Sequence, residues 1–252
     1  IVMSKLWTFG CSFTAEYDFT SYLKPGQSDE SENNNIRYRK YRGGEVSDVW
    51  PTIVARELGL EKENMGYPGF SNYRIFNRFS ANCQRIQKGD VVIVEWSRKE
   101  RFDIVNKNMG RHHQMVSVIP SEAHSHVQYD LKVMQQILVN RINPVWCEEI
   151  YSFMKLIKEL SLAKQFELYF WSADKQIINK EDNSFKYKYN CLVPEANTDM
   201  TKFLREYGAQ SFHEETNRIL PDDEHYGEVG HRVMAETFLR DINRYRNGYY
   251  NE

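Results

Sequence analysis

Residues 5–14 read Lys5-Leu6-Trp7-Thr8-Phe9-Gly10-Cys11-Ser12-Phe13-Thr14. A short apolar segment stops at a glycine and runs straight into a small polar turn. That is the signature of a buried strand, because a strand covered on both faces is apolar without alternation. Val91–Trp96 repeats the pattern after Gly89-Asp90, and Phe166–Trp171 repeats it again. Between these runs the apolar residues step at helical spacing. Asp48–Leu60 reads as a helix with Asp48 as its cap, Pro51 in its first turn and Ile53, Leu58 and Leu60 on one side. Asn64–Gly69 reads as a strand entering a loop, with Pro68-Gly69 as a turn. Asn72–Gln87 is a second helix on Ile75, Phe79 and Ile86. Val127, Leu131, Met134, Leu138 and Ile142 step along a third helix, which Pro144 ends. Trp146–Leu160 and Glu228–Arg244 supply two more. Strands separated by helices predict an α/β fold, a three-layer α/β/α sandwich with a mainly parallel sheet, flavodoxin-like in kind.

The chain has 252 residues, and no linker or internal repeat divides it, so one domain over 1–252 is expected. Long loop insertions are expected at about 17–47, 103–125 and 173–197, where polar and charged residues replace the periodic pattern. Lys and Arg number 33 against 35 Asp and Glu, a net charge of -2. This balance argues against a nucleic-acid partner, even though Arg37–Arg42 alternates cations with tyrosines. No apolar run approaches the length of a membrane span, and no signal peptide is legible. Four cysteines (Cys11, Cys83, Cys147 and Cys191) lie far apart, with no C-x-x-C pair. Neither a zinc site nor a disulfide framework is indicated, and a reducing, cytoplasmic compartment is the expectation. His112, His113, His124 and His126 have no carboxylate or Cys beside them at ligand spacing, so no metal is assigned.

Two segments carry chemistry. Ser12 follows the first strand, where open α/β sheets place their ligands. Taken alone, a serine there is a routine cap, and no G-x-S-x-G elbow surrounds it. Near the other end, Asp222-Asp223-Glu224-His225-Tyr226-Gly227-Glu228-Val229-Gly230-His231 puts a carboxylate three residues before a histidine, on a loop ahead of the last helix. A serine nucleophile needs such a base, and the base needs a carboxylate to fix its tautomer. Cys11 adjoins Ser12 and is read as a small packed hydrophobe, and His231 is read as structural.

Together these segments resemble the SGNH hydrolases, the superfamily of GDSL-like esterases and lipases. Gly10–Thr14 resembles the first block, with Gly-Cys-Ser where the family has G-D-S. Trp50-Pro51 with Ala55 and Leu58 resembles the following helix, and Asn64–Gly69 the second block. Asp222–His231 matches the final D-x-x-H-P-N-x-x-G-H pattern in length, with Tyr226-Gly227 in place of Pro-Asn. The resemblance implies a Ser12–His225–Asp222 triad and oxyanion donors at the backbone N–H groups of Ser12 and Gly69. It implies no cofactor. The expected substrate is a small-molecule or carbohydrate ester, with a short acyl group such as acetyl.

One family element is missing. The strand Val91–Trp96 should lead into G-x-N-D, whose Asn donates to the oxyanion, but here Ser97-Arg98-Lys99-Glu100-Arg101 follows. Ser97 and Arg98 are the candidates to replace that donor. Without a replacement, either the oxyanion hole is weaker or catalysis is lost, and the latter would leave an SGNH-shaped binding or structural module. A third reading keeps the site and passes the acyl group to a sugar hydroxyl.

Overall fold

The computed structural model describes residues 3–11, 13–15, 48–67, 69–99, 101–106, 114–118, 143–172, 174, 177–178, 183–192, 208–213, 218–226 and 228–248. Along these run β1 (Lys5–Phe9), α1 (Trp50–Leu58), β2 (Glu61–Asn64), α2 (Asn72–Asn82), β3 (Val91–Trp96), β4 (Phe102–Asn106) and β5 (Gln114–Val118). There follow α3 (Asn143–Lys164), β6 (Glu167–Ser172), α4 (Asn183–Lys188), β7 (Gly208–His213), β8 (Arg218–Tyr226) and α5 (Glu228–Arg246).

The expected parallel sheet is present, with strand order β2-β1-β3-β6. Leu6 pairs with Val91 and Phe9 with Val94, while Lys5 pairs with Glu61 on the other side. The chain therefore leaves β1 in one direction to make β2 and crosses back to make β3. β1 and β3 flank the point where strand order reverses, the place where doubly wound sheets hold ligands at their carboxyl ends.

Period-two alternation sends successive side chains to opposite faces of the sheet, and each face has its own core. Trp7, Phe9, Val92, Val94, Trp96 and Phe170 pack against Ile75 and Phe79 of α2 and Ile150, Met154 and Ile157 of α3. Leu6, Val91, Ile93, Tyr169 and Trp171 meet Trp50, Val54 and Ala55 of α1 and Met234, Phe238 and Ile242 of α5. These are the three layers that the sequence implies.

Four expectations need correction or extension. Asp48 does not cap α1: the N-cap is Val49, without a side-chain bond, and Asp48 instead pairs with Arg56 at 2.6 Å. The backbone N–H of Trp50, first in α1, donates to Nδ1 of His231 at 3.3 Å, so a buried side chain from α5 takes over a capping role. Pro144 lies in the first turn of α3, where its missing N–H costs nothing. The stretch expected as a loop at 103–125 contains the antiparallel β4–β5 pair, with Phe102 opposite Val118. Asp222 and His225 were expected on a loop; they lie in β8, which runs antiparallel to β7. The expected helix at 127–142, the histidines of 112–126, the basic stretch 37–42 and the insertion at 17–47 lie outside the described residues.

Candidate active site

β1 ends on Phe9, and the chain turns at once. The carbonyl of Cys11 accepts the N–H groups of Thr14 at 3.1 Å and Ala15 at 3.0 Å, which ties residues 14 and 15 back to the end of β1. Ser12 itself lies outside the described residues, but its neighbours on both sides are tied to three different elements.

β3 supplies the most unusual tie. Its burial is complete from Val91 to Trp96, yet its fifth residue is Glu95, with 0% exposure. The Glu95 carboxylate accepts the Cys11 N–H at 3.0 Å, the Cys11 thiol at 3.0 Å and the Thr14 hydroxyl. Burial pushes the Glu95 carboxyl above its ordinary value, while the donors of Thr14 and Cys11 and the positive charge of Arg101 pull it back. Gly10 is glycine for a steric reason: a Cβ there would overlap the Glu95 carboxylate and the Thr14 hydroxyl.

The other ties come from the helix and loop that follow. Nε1 of Trp50 donates to the Phe13 carbonyl at 2.8 Å. Asn64, at the end of β2, donates to the Thr14 carbonyl at 2.7 Å and accepts from the Thr8 hydroxyl and the Gly66 N–H. The Tyr67 N–H donates to the Gly10 carbonyl at 3.1 Å. The Trp50-Pro51 and Asn64–Gly69 segments thus have a direct structural task, fixing the turn after β1.

Gly69 lies in the loop before α2 with φ +78, a conformation that a side chain disfavours, and it is exposed. Ser71 caps α2 by accepting the Arg74 N–H. Asn72, buried at the start of the same helix, reaches the loop after β3: its Oδ1 accepts the Ser97 N–H at 2.8 Å, and its Nδ2 donates to the Arg98 carbonyl at 3.2 Å. The Ser97 N–H is therefore committed to Asn72. Arg98 is half-buried. Further along this loop, Nη1 of Arg101 is buried without a hydrogen-bond partner among the described residues.

Cys11 is 2% exposed, and burial together with the adjacent Glu95 charge pushes its thiol up to about 12. Such a thiol stays protonated at neutral pH and is a poor nucleophile. His231 is engaged with Trp50, as its structural reading requires. In β8, Tyr226 is opposite Gly208 and Pro221 is opposite Gln210, so five steps along β8 (221 to 226) face two along β7 (208 to 210). Asp222–His225 fall within that bulge, a device that bends strands and recurs beside active sites.

An eleven-residue helix, a left-handed glycine and a turn at the carboxyl edge of β1 and β3 form one assembly. Across 96% of this chain and 98% of the other, the structure superposes with a TM-score of 0.50 on a protein from Parabacteroides merdae described as a GDSL-like lipase, at 10% identity. The chain has the SGNH, or GDSL-like, hydrolase fold. A lipolytic protein of the G-D-S-L family from Desulfitobacterium hafniense is similar at 14% identity, with 94% and 99% of the two chains covered and a TM-score of 0.46. A variant of Axe2 from Geobacillus, an acetyl-xylooligosaccharide esterase, is similar at 15% identity, with 96% and 95% covered and a TM-score of 0.47. No protein-family model and no curated protein matches the chain.

Within the SGNH fold, Glu95 and Asn72 are the site-region residues that belong to none of the sequence motifs. Glu95 had a legible signal, since a carboxylate within an apolar run of a central strand is seldom buried without partners. Among the described residues, no helix is long and apolar enough to cross a membrane.

Proposed function

We propose that this protein is a serine esterase of the SGNH type, cleaving a carboxylic ester with a short acyl group on a small molecule or a carbohydrate. The observation that carries this reading is the tethered turn around position 12, set at the strand-order reversal between β1 and β3. Reactive groups need rigid support, and this turn is held by three side chains from separate elements.

In this reading Ser12 Oγ attacks the acyl carbonyl while His225 accepts its proton. Asp222 orients His225 and stabilises the imidazolium. The backbone N–H groups of Ser12 and Gly69 face the oxyanion, and the loop after β3 adds a further donor through Ser97, Arg98 or Arg101. Collapse of the intermediate returns the proton from His225 to the leaving alcohol. Water, activated by the same histidine, then releases the acid from Ser12. The left-handed Gly69 leaves its surroundings free of a Cβ, which suits close approach of a substrate. Tyr67 and Tyr73, on either side of Gly69 in the sequence, are exposed and offer flat surfaces for an alcohol portion such as a sugar.

The test is labelling with a fluorophosphonate probe, followed by mapping of the modified residue, alongside turnover of p-nitrophenyl acetate. Label on Ser12, with both signals lost in Ser12→Ala, supports the esterase. Absence of label and of turnover for esters of any acyl length transfers the site to a binding role.

A further inference from the structure

We infer that Glu95 is a positioning residue for Ser12, closing the nucleophile turn from beneath through Cys11 and Thr14. The inference rests on Ser12 being the nucleophile, as proposed above.

Glu95 has no role in the apolar core that surrounds it. Its neighbours along β3 are Val91, Val92, Ile93, Val94 and Trp96, all buried, and a hydrophobic residue would suit such a strand better than a carboxylate drawn out of water. What distinguishes the position is its set of partners. The donors that reach the carboxylate, the Cys11 N–H, the Cys11 thiol and the Thr14 hydroxyl, all belong to one turn. They lie at the residue before Ser12 and two residues after it. Parallel pairing of Phe9 with Val94 brings Glu95 level with Gly10, and only the absent Cβ of Gly10 lets the carboxylate pass into the turn. The cost of burying an acid is thus met by contacts that fix residues 11 and 14 relative to β3. A displacement of about 1 Å in a reacting group is enough to cost ~10²-fold in rate, so a rigid seat for position 12 has direct catalytic value.

The chemistry predicts which substitutions matter. Oε2 takes two of the three donors, so a single amide oxygen at that place keeps them, whereas an aliphatic side chain keeps none. Glu95→Gln should therefore retain the rate of fluorophosphonate labelling at Ser12 and the turnover number for p-nitrophenyl acetate within about threefold. Glu95→Leu, similar in bulk, should lower both at least tenfold with the Michaelis constant within twofold, because the turn moves while the pocket remains. Thr14→Val should lower labelling at least threefold, and Thr14→Ser, which restores the hydroxyl, should return it to within twofold. A folded Glu95→Leu protein labelling at the wild-type rate overturns the inference. If Glu95→Leu does not fold, wild-type labelling of Thr14→Val overturns it instead. A wild-type protein that is neither labelled nor active removes the esterase reading and this inference together, whereas labelled wild type with indifferent variants removes this inference alone.

Discussion

Oδ1 of Asn72 accepts the backbone N–H of Ser97 at 2.8 Å, while Nδ2 of the same side chain donates to the carbonyl of Arg98. One buried amide therefore sets the course of the loop that leaves β3, the loop in which SGNH hydrolases carry their oxyanion asparagine. Asn72→Ala leaves the buried Ser97 N–H without its acceptor. The expected loss is about 1–3 kcal/mol. For a chain of this size that lowers the melting temperature by roughly 2–4 °C per kcal/mol, which thermal denaturation followed by circular dichroism would detect. An unchanged melting temperature would mean that the loop holds its course without the amide.

Cysteine chemistry should follow burial rather than position. Cys11 and Cys191 are buried, each with its thiol pushed up to about 12, whereas Cys83 and Cys147 are half-buried. Iodoacetamide at pH 8 should modify Cys83 and Cys147 in the native protein and leave Cys11 and Cys191 intact until denaturant is added, as read by peptide mass mapping. Correspondingly, Cys11→Ala should retain ester turnover within about tenfold while Ser12→Ala abolishes it. The opposite pattern would make the thiol the nucleophile.

Glu95 links stability to pH with a definite sign. Its carboxyl titrates above the ordinary value in the folded protein, chiefly through burial, so the folded state holds this proton more tightly than the unfolded chain. Its contribution is most favourable below the unfolded value, roughly 4.3, and is lost as pH rises through the raised folded value. Glu95→Gln has no ionisation to support, so the difference in melting temperature, variant minus wild type, should grow between pH 4.5 and pH 8. A difference that shrinks with rising pH would show a carboxylate favoured by its surroundings instead.

In the proposed esterase, two arginines are the candidates to replace the family's oxyanion donor. The Arg98 carbonyl is bound by Asn72, and Nη1 of Arg101 is buried without a hydrogen-bond partner among the described residues, its charge acting on both Cys11 and Glu95. A cation held in a poorly solvated place acts strongly on developing negative charge. Arg101→Met should therefore depress the turnover number more than Arg98→Ala does, with little change in the Michaelis constant for a neutral ester. A larger effect from Arg98→Ala would assign the role to that residue.

The base should declare itself in the rate profile. In the proposed triad a neutral His225 accepts the Ser12 proton, so turnover should rise with pH as the imidazole gives up its proton. Asp222→Asn should depress turnover far more than affinity, since it disturbs the tautomer and the imidazolium. Retained activity in His225→Ala would remove the proposed triad.

Local sequence carried the frame of this protein. Trp7–Phe9, Val91–Val94 and Leu168–Trp171 are apolar without a break because both faces of their sheet are covered, and a strand in that setting has no other pattern available. The helices over 50–58, 72–82, 143–164 and 228–246 were legible for the same reason, since their apolar residues recur at the spacing of one helical face. The β4–β5 and β7–β8 pairs were not legible: β8 reads Arg-Ile-Leu-Pro-Asp-Asp-Glu-His-Tyr, and only pairing with a partner strand gives such a polar run extended structure. The turn after β1 divides in the same way. Its residue types and its place after β1 could be read directly, but its support could not. Glu95 lies 84 residues from Cys11 in sequence, Asn72 lies 25 from Ser97, and His231 lies 181 from Trp50. Periodicity reports which face of an element is buried, not which polar group waits across the gap. The Glu95 partnership is created by the crossover that places β3 beside β1, and the His231 partnership by the packing of α5 against α1, so both exist only in the folded chain.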